Sequence, residues 1–475
     1  MKTLAIDQGT TSTRALLVSP DGQAQVLHAV PHQQFYPAPG HVEHDAEELI
    51  AHLEICLNAA KDIDDIGAVG LANQGESCLA WDAETGRAIG PVIVWQDDRT
   101  GADLARLEPH ADFVMERSGL PLDAYFSASK LGWILQNIPQ AKVLAAKGTL
   151  RMGTTDAFFR DRLTGRFETD PTTASRTSLM NLATCEWDPD LCELFGVPID
   201  ALPQIRPTTG DLGMLAGSGV PLTASIVDQQ AALYGHRCRQ PGDTKITFGT
   251  GAFALSVTGP DLIRSAGGPL PTVAWQKAGE APTYALDGGV YAASSAINWA
   301  RGLGLFDDFD EINTFADGTA IGRGLAFVPA LSGLACPHWD RQARGTWMGL
   351  ALETTSGDMM QAVLEGVAFR MAEVVETLNR LQPLSATVSI DGGLSANPYF
   401  CQFLADVLNR DVIVSQEPEL TAMGTAMLAA EFCGTTIGSE LHGQSAKARG
   451  VNPALFDRFR AARDAVQKYG GTGTG

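Results

Sequence analysis

The chain begins with a short apolar strand that ends in a loop of glycine and hydroxyl residues, and the second half repeats this arrangement. Residues 4–6 are apolar and lead into the loop DQGTTST at 7–13, after which residues 14–18 form a second apolar run. Residues 244–248 likewise end in GTGA at 249–252 before an apolar run to Val257. A strand hairpin with such a loop in each half predicts two domains of related design, facing each other across a cleft.

Helical and strand patterns alternate between the loops, which indicates an α/β fold. Asp45, with Glu48 three residues later, is a plausible N-cap for a helix whose apolar residues follow at helical spacing. Residues 66–72 and 386–390 are expected to be buried strands. Pro241-Gly242 breaks the chain, so we expect domains at 1–240 and 241–433 and a C-terminal extension at 434–475. Its Gly-rich end, 470–475, is expected to be disordered.

Composition narrows the possible partners. The formal net charge of −21 disfavours nucleic acid and anionic membranes. The 475 residues include no apolar run long enough to span a bilayer, and Asp7 comes too early for a secretory signal. We therefore expect a cytoplasmic protein without a nucleic-acid or membrane partner. The eight cysteines are scattered without a CxxC pair, so thiol redox chemistry and zinc binding are not indicated.

The two loops have the composition of anion-binding sites. Glycine permits a sharp turn with outward N–H groups, and threonine adds hydroxyl donors. Asp7 stands where a carboxylate could hold Mg²⁺ beside bound phosphates, usually through water. The plain alternative is a pair of ordinary hairpin turns. The chain lacks the GxxxxGK[ST] loop and the HRD and DFG motifs, which disfavours the P-loop and protein kinases. The candidate phosphate-binding residues are Thr10, Thr11, Arg14, Gly249, Thr250 and Gly251.

Eight ordered motifs resemble the FGGY family of carbohydrate kinases, and within it the glycerol kinases most closely. The resemblance covers roughly residues 1–433. The motifs are IDQGTTSTRA near the start, PGHVEHD at 39–45, ANQGESCLAWD at 72–82, VIVWQDDRT at 92–100, GLPLDAYFSASKLGWIL at 119–135, IVDQQAALYG at 226–235, TFGTGAF at 247–253 and DGGLSANPYFCQFLADVL at 391–408. The resemblance implies two actin-like, ribonuclease-H-like domains that bind ATP and substrate in the cleft between them.

The resemblance also implies roles for individual residues. Asp228 corresponds to the family's catalytic base, although its local sequence equally fits the N-cap of a helix over 229–234. Ser294 departs from the family's usual glycine on the nucleotide side. The implied cofactors are ATP and Mg²⁺, and a homo-oligomer is expected. The implied substrate-binding residues are Glu76, Trp95, Tyr125, Asp228, Gln229 and Phe253, and the implied nucleotide-binding residues are Asn298, Gly393 and Asn397.

Two departures bear on substrate and regulation. Glycerol kinases have NQRET where this chain reads NQGES at 73–77, so Gly75 replaces an arginine that binds two substrate hydroxyls. A longer substrate, weaker glycerol binding or another basic residue could each follow from this change. Residues 217–222 lack the arginine through which some bacterial relatives bind a sugar bisphosphate, so we expect that regulatory site to be absent.

We therefore expect ATP-dependent phosphorylation of a hydroxyl of glycerol or a glycerol-like polyol or sugar. The alternatives are a kinase for a longer polyol or ketose, namely a tetritol, pentitol or pentulose, and a non-catalytic polyol or sugar sensor on the same fold. A chaperone-like or filament-forming relative ranks last, because no matching substrate-binding domain is present.

Overall fold

A computed structural model describes residues 1–216, 218–315, 318–417, 419–438 and 443–471. Gly217, the first residue of the stretch 217–222 in which a regulatory site is expected to be absent, lies outside these ranges. The strands are β1 (Lys2–Gln8), β2 (Ser12–Val18), β3 (Ala24–Pro31), β4 (Glu43–His44), β5 (Ile66–Asn73), β6 (Cys78–Asp82), β7 (Val92–Ile93), β8 (Leu150–Thr154), β9 (Glu168–Thr169), β10 (Met180–Asn181), β11 (Glu186–Trp187), β12 (Gln204–Ile205), β13 (Leu222–Val227), β14 (Thr244–Phe248), β15 (Ala252–Gly259), β16 (Leu270–Trp275), β17 (Thr283–Val290), β18 (Ala326–Val328), β19 (Thr346–Met348), β20 (Thr387–Gly392), β21 (Asp411–Ser415) and β22 (Gly443–Ala446).

Helices connect these strands and cover their faces. The α-helices are α1 (Ala46–Asn58), α2 (Gly101–Leu104), α3 (Ala111–Ser118), α4 (Ser127–Asn137), α5 (Pro139–Lys147), α6 (Thr155–Thr164), α7 (Pro171–Ala174), α8 (Pro189–Phe195), α9 (Asp228–Gly235), α10 (Ser294–Gly302), α11 (Ser356–Leu381), α12 (Pro398–Leu408), α13 (Leu420–Phe432) and α14 (Pro453–Gly471). Asp45 caps α1 as predicted, because its side chain accepts hydrogen bonds from the N–H groups of Glu47 and Glu48. Within the described ranges, no helix is both long enough and apolar enough to cross a membrane.

Two sheets carry the fold, and they share one strand order. In the first, β13-β5-β1-β2-β3, the hairpin strands β1 to β3 are antiparallel, while β5 and β13 run parallel to β1. In the second, β17-β15-β14-β20-β21 contains the same kind of antiparallel hairpin strands beside parallel ones, with β16 and β22 added at its two edges. This duplicated topology confirms the predicted α/β fold of two actin-like, ribonuclease-H-like domains.

Helix α13 lies against α9 and the first sheet, although in the chain it lies between β21 and β22 of the second sheet. Its apolar residues share a core cluster with β1, β5 and β13. The two helices approach closely at two glycines, since a Cβ at Gly424 would lie 1.9 Å from the Ala231 carbonyl oxygen and one at Gly235 would lie 2.1 Å from that of Leu420. This packing fixes α9, and therefore its first residue Asp228, against the end of the first sheet.

The C-terminal residues extend the second domain. β22 pairs with β21 at the sheet edge, and α14 buries Phe459 against Phe369 of α11, with ring centroids 4.9 Å apart. The expected disorder of residues 470–475 does not hold for 470 and 471, which are the last residues of α14; Gly470 packs against the chain at Gln342, since a Cβ there would lie 2.9 Å from the Gln342 carbonyl oxygen. Residues 472–475 lie outside the described ranges. The proposed limits of the domains, 240 and 433, remain a prediction.

Candidate active site

A cavity of about 200 Å³ lies where the ends of the two sheets meet. The first domain contributes the turn after β5 and the start of α9, and the second domain contributes β15 and β17. All six residues named from the sequence as substrate-binding line it, so residues far apart in the chain converge. These residues are Glu76, Trp95, Tyr125, Asp228, Gln229 and Phe253.

Asp228 is the first residue of α9, and the N-cap of the helix is Val227. The predicted N-cap role is therefore wrong by one position, because Val227 is the residue with extended backbone geometry before the helix (φ −70°, ψ 147°). The Asp228 carboxylate instead accepts a hydrogen bond of 2.6 Å from the N–H of Gln229. Burial and the nearby charge of Glu76 raise the pKa of Asp228 to about 7. A carboxyl group with this pKa can exchange a proton near neutral pH.

Glu76 adopts a left-handed backbone conformation, φ 59°, which is uncommon for glutamate and often marks a functional turn. Its carboxylate accepts a hydrogen bond of 2.7 Å from Arg176 Nε, and both side chains are buried. Burial raises the pKa of Glu76. Arg176 and Asp287 also line the cavity, and neither is among the residues that the sequence predicts for the site. The absence of an arginine at position 75 indicates that another basic residue could contact the substrate, but it does not identify Arg176 as that residue.

The aromatic side of the cavity is held by a buried lysine. Lys130 Nζ donates to the carbonyl oxygens of Val94, Trp95 and Tyr125 at 3.1, 3.2 and 3.1 Å. The Trp95 and Tyr125 rings meet edge to face with centroids 5.5 Å apart. Trp95 Nε1 donates to Thr10 Oγ1 at 3.0 Å, which joins the aromatic wall to the first glycine loop. Such aromatic faces suit the C–H surface of a polyol.

A second lysine supports the opposite wall. Lys245 on β14 is fully buried, and its Nζ donates to Gln229 Oε1 at 2.7 Å and to Thr247 Oγ1 at 2.9 Å. Because the Gln229 carbonyl oxygen is held in this way, its amide N–H₂ group remains the donor for a ligand. Burial lowers the pKa of Lys245, and the carboxylates of Asp391, Asp287 and Asp228 oppose that effect.

The two glycine loops occupy matching places at the ends of the two hairpins. Residues 9–11 connect β1 to β2, and residues 249–251 connect β14 to β15. Thr11, Gly249 and Thr250 are exposed, whereas Gly9 and Thr10 are half-buried. The N–H groups of Ala293, Ser294 and Ser295, at the start of α10, donate to carbonyl oxygens of the second loop. The loop is therefore anchored to the helix that follows β17.

Two charged residues beside the first loop behave differently from each other. Arg14 pairs with Glu419 at 2.9 Å, so its charge is already partly compensated. Asp7 lies on β1 opposite Arg14. Burial and the charges of Asp228 and Glu419 raise the pKa of Asp7 to about 7, although Arg14 opposes them. These carboxyl groups repel one another when ionised, which is the electrostatic setting that a divalent cation would relieve.

A second cavity of about 520 Å³ lies between α10 and the turn after β20. Asn298, Gly393 and Asn397, named from the sequence as nucleotide-binding, all line it, together with Ser294. Asn397 also caps α12, since its Oδ1 accepts from the N–H of Phe400 and its Nδ2 donates to the Ile312 carbonyl oxygen. Ser294 Oγ donates to the Phe248 carbonyl oxygen at 3.3 Å. The serine that replaces the usual glycine is thus accommodated by a hydrogen bond to β14.

Known proteins share both halves of this architecture. The family model for the N-terminal domain of the FGGY family of carbohydrate kinases matches residues 2–235, and that for its C-terminal domain matches residues 244–431. The chain belongs to the FGGY family of carbohydrate kinases. The predicted family and the predicted enzyme class, an ATP-dependent carbohydrate kinase, are confirmed.

Individual FGGY relatives are similar along nearly the whole chain. A glycerol kinase of Xanthobacter autotrophicus is 40% identical over 97% of this chain and 96% of its own length, and one of Haloferax volcanii is 38% identical over 90% and 88%. The structure of Plasmodium falciparum glycerol kinase with ADP superposes with a TM-score of 0.91 at 28% identity, covering 98% of both chains. A xylulose kinase of Lactobacillus acidophilus, 21% identical with a TM-score of 0.88, shares the fold.

Proposed function

We propose that this kinase transfers the terminal phosphoryl group of ATP to a hydroxyl of glycerol or of a closely similar polyol. The observation that carries the proposal is the cavity itself, in which aromatic faces, a glutamine amide and ionisable carboxyl groups surround a space of about 200 Å³. That volume suits a small molecule with several hydroxyls. The glycerol kinases that resemble this chain over most of their length support the same substrate class.

Asp228 is the proposed catalytic base. Its carboxylate would accept the proton of the attacking hydroxyl while the oxygen of that hydroxyl forms a bond to the γ-phosphorus of ATP and ADP leaves. Trp95 and Phe253 would pack against the carbon chain, and Glu76 and Gln229 would bind the other hydroxyls. The glycine loops at 9–11 and 249–251 would hold the phosphates through N–H and hydroxyl groups, with the adenosine in the second cavity beside Asn298.

Asp7 is the proposed residue for Mg²⁺. The donor set fits, because oxygen ligands are what Mg²⁺ prefers and because burial, together with the neighbouring carboxylates of Asp228 and Glu419, raises the pKa of Asp7, which a cation would lower. In the described part of the chain, no group of three or more His, Cys, Asp or Glu side chains is placed to hold a metal. Asp7 would hold Mg²⁺ from the protein side, and the ion would neutralise charge on the phosphates.

The test is a coupled ADP-release assay with Mg-ATP on glycerol, erythritol, threitol, the pentitols, dihydroxyacetone and the common ketoses. We expect glycerol to give the highest kcat/KM. Turnover restricted to a longer polyol or ketose would replace glycerol as the substrate while leaving the kinase assignment intact. Ligand-induced stabilisation without product on any member of the panel would contradict catalysis and favour the sensor.

A further inference from the structure

Arg176 and Asp287 are a charged pair in the cavity wall, contributed by different domains. Arg176 follows α7 in the first domain, and Asp287 lies on β17 in the second sheet, opposite Leu255 of β15. Both side chains line the cavity that holds Asp228. Among the described residues that line this cavity, Arg176 is the one with a cationic side chain. The pair therefore spans the cleft at the place where a substrate would lie.

The pair is arranged so that each partner keeps one polar atom unused. Arg176 Nε is bound to Glu76 Oε1 at 2.7 Å, which fixes the guanidinium. Arg176 Nη1 lies 3.5 Å from Asp287 Oδ2, which is longer than a good charge-assisted hydrogen bond. Within the described residues, Arg176 Nη1 and Asp287 Oδ1 are both buried without a hydrogen-bond partner. Buried polar atoms are nearly always paired, so an unpaired donor beside an unpaired acceptor indicates a ligand group between them.

A hydroxyl is the group that matches this donor and this acceptor in hydrogen bonding. It can accept from the Arg176 N–H and donate to the Asp287 carboxylate at the same time. Burial raises the pKa of Asp287, and the charges of Arg176 and Lys245 oppose the rise and favour the ionised acceptor. A carboxylate or phosphate on the ligand would fit less well, because it would meet the negative charges of Asp287, Glu76 and Asp228.

The backbone at Gly75 shows why the cation comes from elsewhere. A Cβ at Gly75 would lie 2.8 Å from Val227 Cγ2, a contact that real Cβ atoms do not make. Val227 is β-branched and has little rotamer freedom to move aside. An arginine at position 75 would therefore need both a displaced Val227 and a place for a second guanidinium beside Arg176.

We propose that Arg176 Nη1 and Asp287 Oδ1 form a substrate subsite, which binds a polyol hydroxyl other than the one that attacks ATP. The subsite rests on the proposed function and takes over the recognition that an arginine at position 75 provides in glycerol kinases. Gly75 in place of arginine left three possibilities, namely a longer substrate, weaker glycerol binding or another basic residue. The proposed subsite corresponds to the third. The substrate class is an uncharged polyol with at least one hydroxyl beyond the attacking one.

The test compares glycerol with propane-1,2-diol and propane-1,3-diol, each of which lacks one hydroxyl. For the wild type we expect kcat/KM to fall about 10- to 100-fold on one diol, since a charge-assisted hydrogen bond contributes that much. In Arg176→Met and Asp287→Asn, glycerol kcat/KM should fall by a similar factor, while the rate on that diol changes less than about threefold. Arg117→Met, which removes a pair with Asp188 away from the cavity, is the matched control and should keep the wild-type preference.

The two variants distinguish a substrate subsite from a purely structural ion pair. If both variants lose activity equally on glycerol and on the diols, the pair is structural and the subsite is wrong. Asparagine at position 287 keeps the shape of the side chain, so Asp287→Asn decides the question even where Arg176→Met does not fold. Absence of wild-type turnover on glycerol contradicts the proposed substrate, and the same comparison on erythritol and its single-deoxy forms then tests the subsite independently.

Discussion

The Asp228→Asn substitution is expected to abolish most catalysis and to stabilise the fold, with the second effect dependent on pH. Asparagine keeps the shape and can still accept the hydrogen bond from the Gln229 N–H, but it cannot take a proton from a substrate. Loss of a general base costs about 10²- to 10⁴-fold, so kcat should fall at least about 100-fold. ADP affinity should change less than about threefold, because Asp228 lies in the polyol cavity and does not line the cavity beside Asn298.

The gain in stability follows from the raised pKa. The carboxyl group titrates near 3.8 in the unfolded chain and at about 7 in the folded protein. Between these values the folded state holds more protons, so this group makes the wild type less stable as pH rises from about 4 to about 7. A pKa difference of about three corresponds to about 4 kcal/mol, and because the cavity leaves Asp228 partly accessible we expect about 2–4 kcal/mol. The asparagine variant has no carboxyl group at this position, so its free energy of unfolding does not fall for this reason as the pH rises.

Urea unfolding of both proteins at pH 4.5 and pH 8 measures the difference. The variant should match the wild type within about 1 kcal/mol at the lower pH and exceed it by about 2–4 kcal/mol at pH 8. Asp200→Asn, at an exposed position, controls for the loss of one negative charge and should leave both curves unchanged. The same stability difference at both pH values, or a kcat within about tenfold of the wild type, would refute the reasoning.

Three further substitutions test other parts of the site and its support. Asp7→Asn should lower kcat with Mg-ATP at least about tenfold yet tighten the binding of Mg-free ATP, because one negative charge beside the phosphates is removed. Weaker binding of ATP both with and without Mg²⁺ would count against a metal role for Asp7. Lys130→Met should destabilise the protein by about 3 kcal/mol and raise the polyol KM, since three buried carbonyl oxygens lose their donor; an unchanged melting temperature would contradict this. Gly424→Ala should cost about 1–3 kcal/mol in thermal unfolding, because its Cβ would meet the Ala231 carbonyl, whereas Gly302→Ala, with open space around its Cβ, should be neutral or stabilising.

Local patterns in the sequence predict the fold well where the structure depends on local chemistry. The hairpin loops at 9–11 and 249–251, the Asp45 cap and the strand at 244–248 need only neighbouring residues to form, and each is found where the pattern places it. The duplicated hairpin predicts two similar domains, and the strand orders of the two sheets agree with it. The family motifs add the long-range information that brings Glu76 and Asp228 into one cavity.

The features that sequence reasoning misses depend on distant contacts. Arg176 meets Glu76 across 100 positions, and no local pattern marks either residue as the partner of the other. The placement of α13 against the first sheet has the same cause, because an apolar helix shows that it is buried without showing against what. The sequence placed Asp228 at the N-cap, one position before its true place in the first turn of α9. Aspartate is common at both positions, so the sequence alone does not distinguish them.

The substrate cavity has an excess of carboxyl groups, and the chain as a whole is negatively charged. An anionic nucleotide must be bound in spite of both. Glu76, Asp228 and Asp287 line the cavity, and Asp7 lies beside the first loop. Burial raises the pKa of each, to about 7 for Asp7 and Asp228, so part of the charge of those two is suppressed near neutral pH. Arg176 Nε already donates to Glu76, and Lys245 Nζ already donates to Gln229, so neither cation is dedicated to phosphate. The phosphates must then depend on loop N–H groups, hydroxyls and the cation that accompanies ATP. A site of this kind binds the metal complex in preference to the free nucleotide, because only the complex brings enough positive charge to offset the carboxylates.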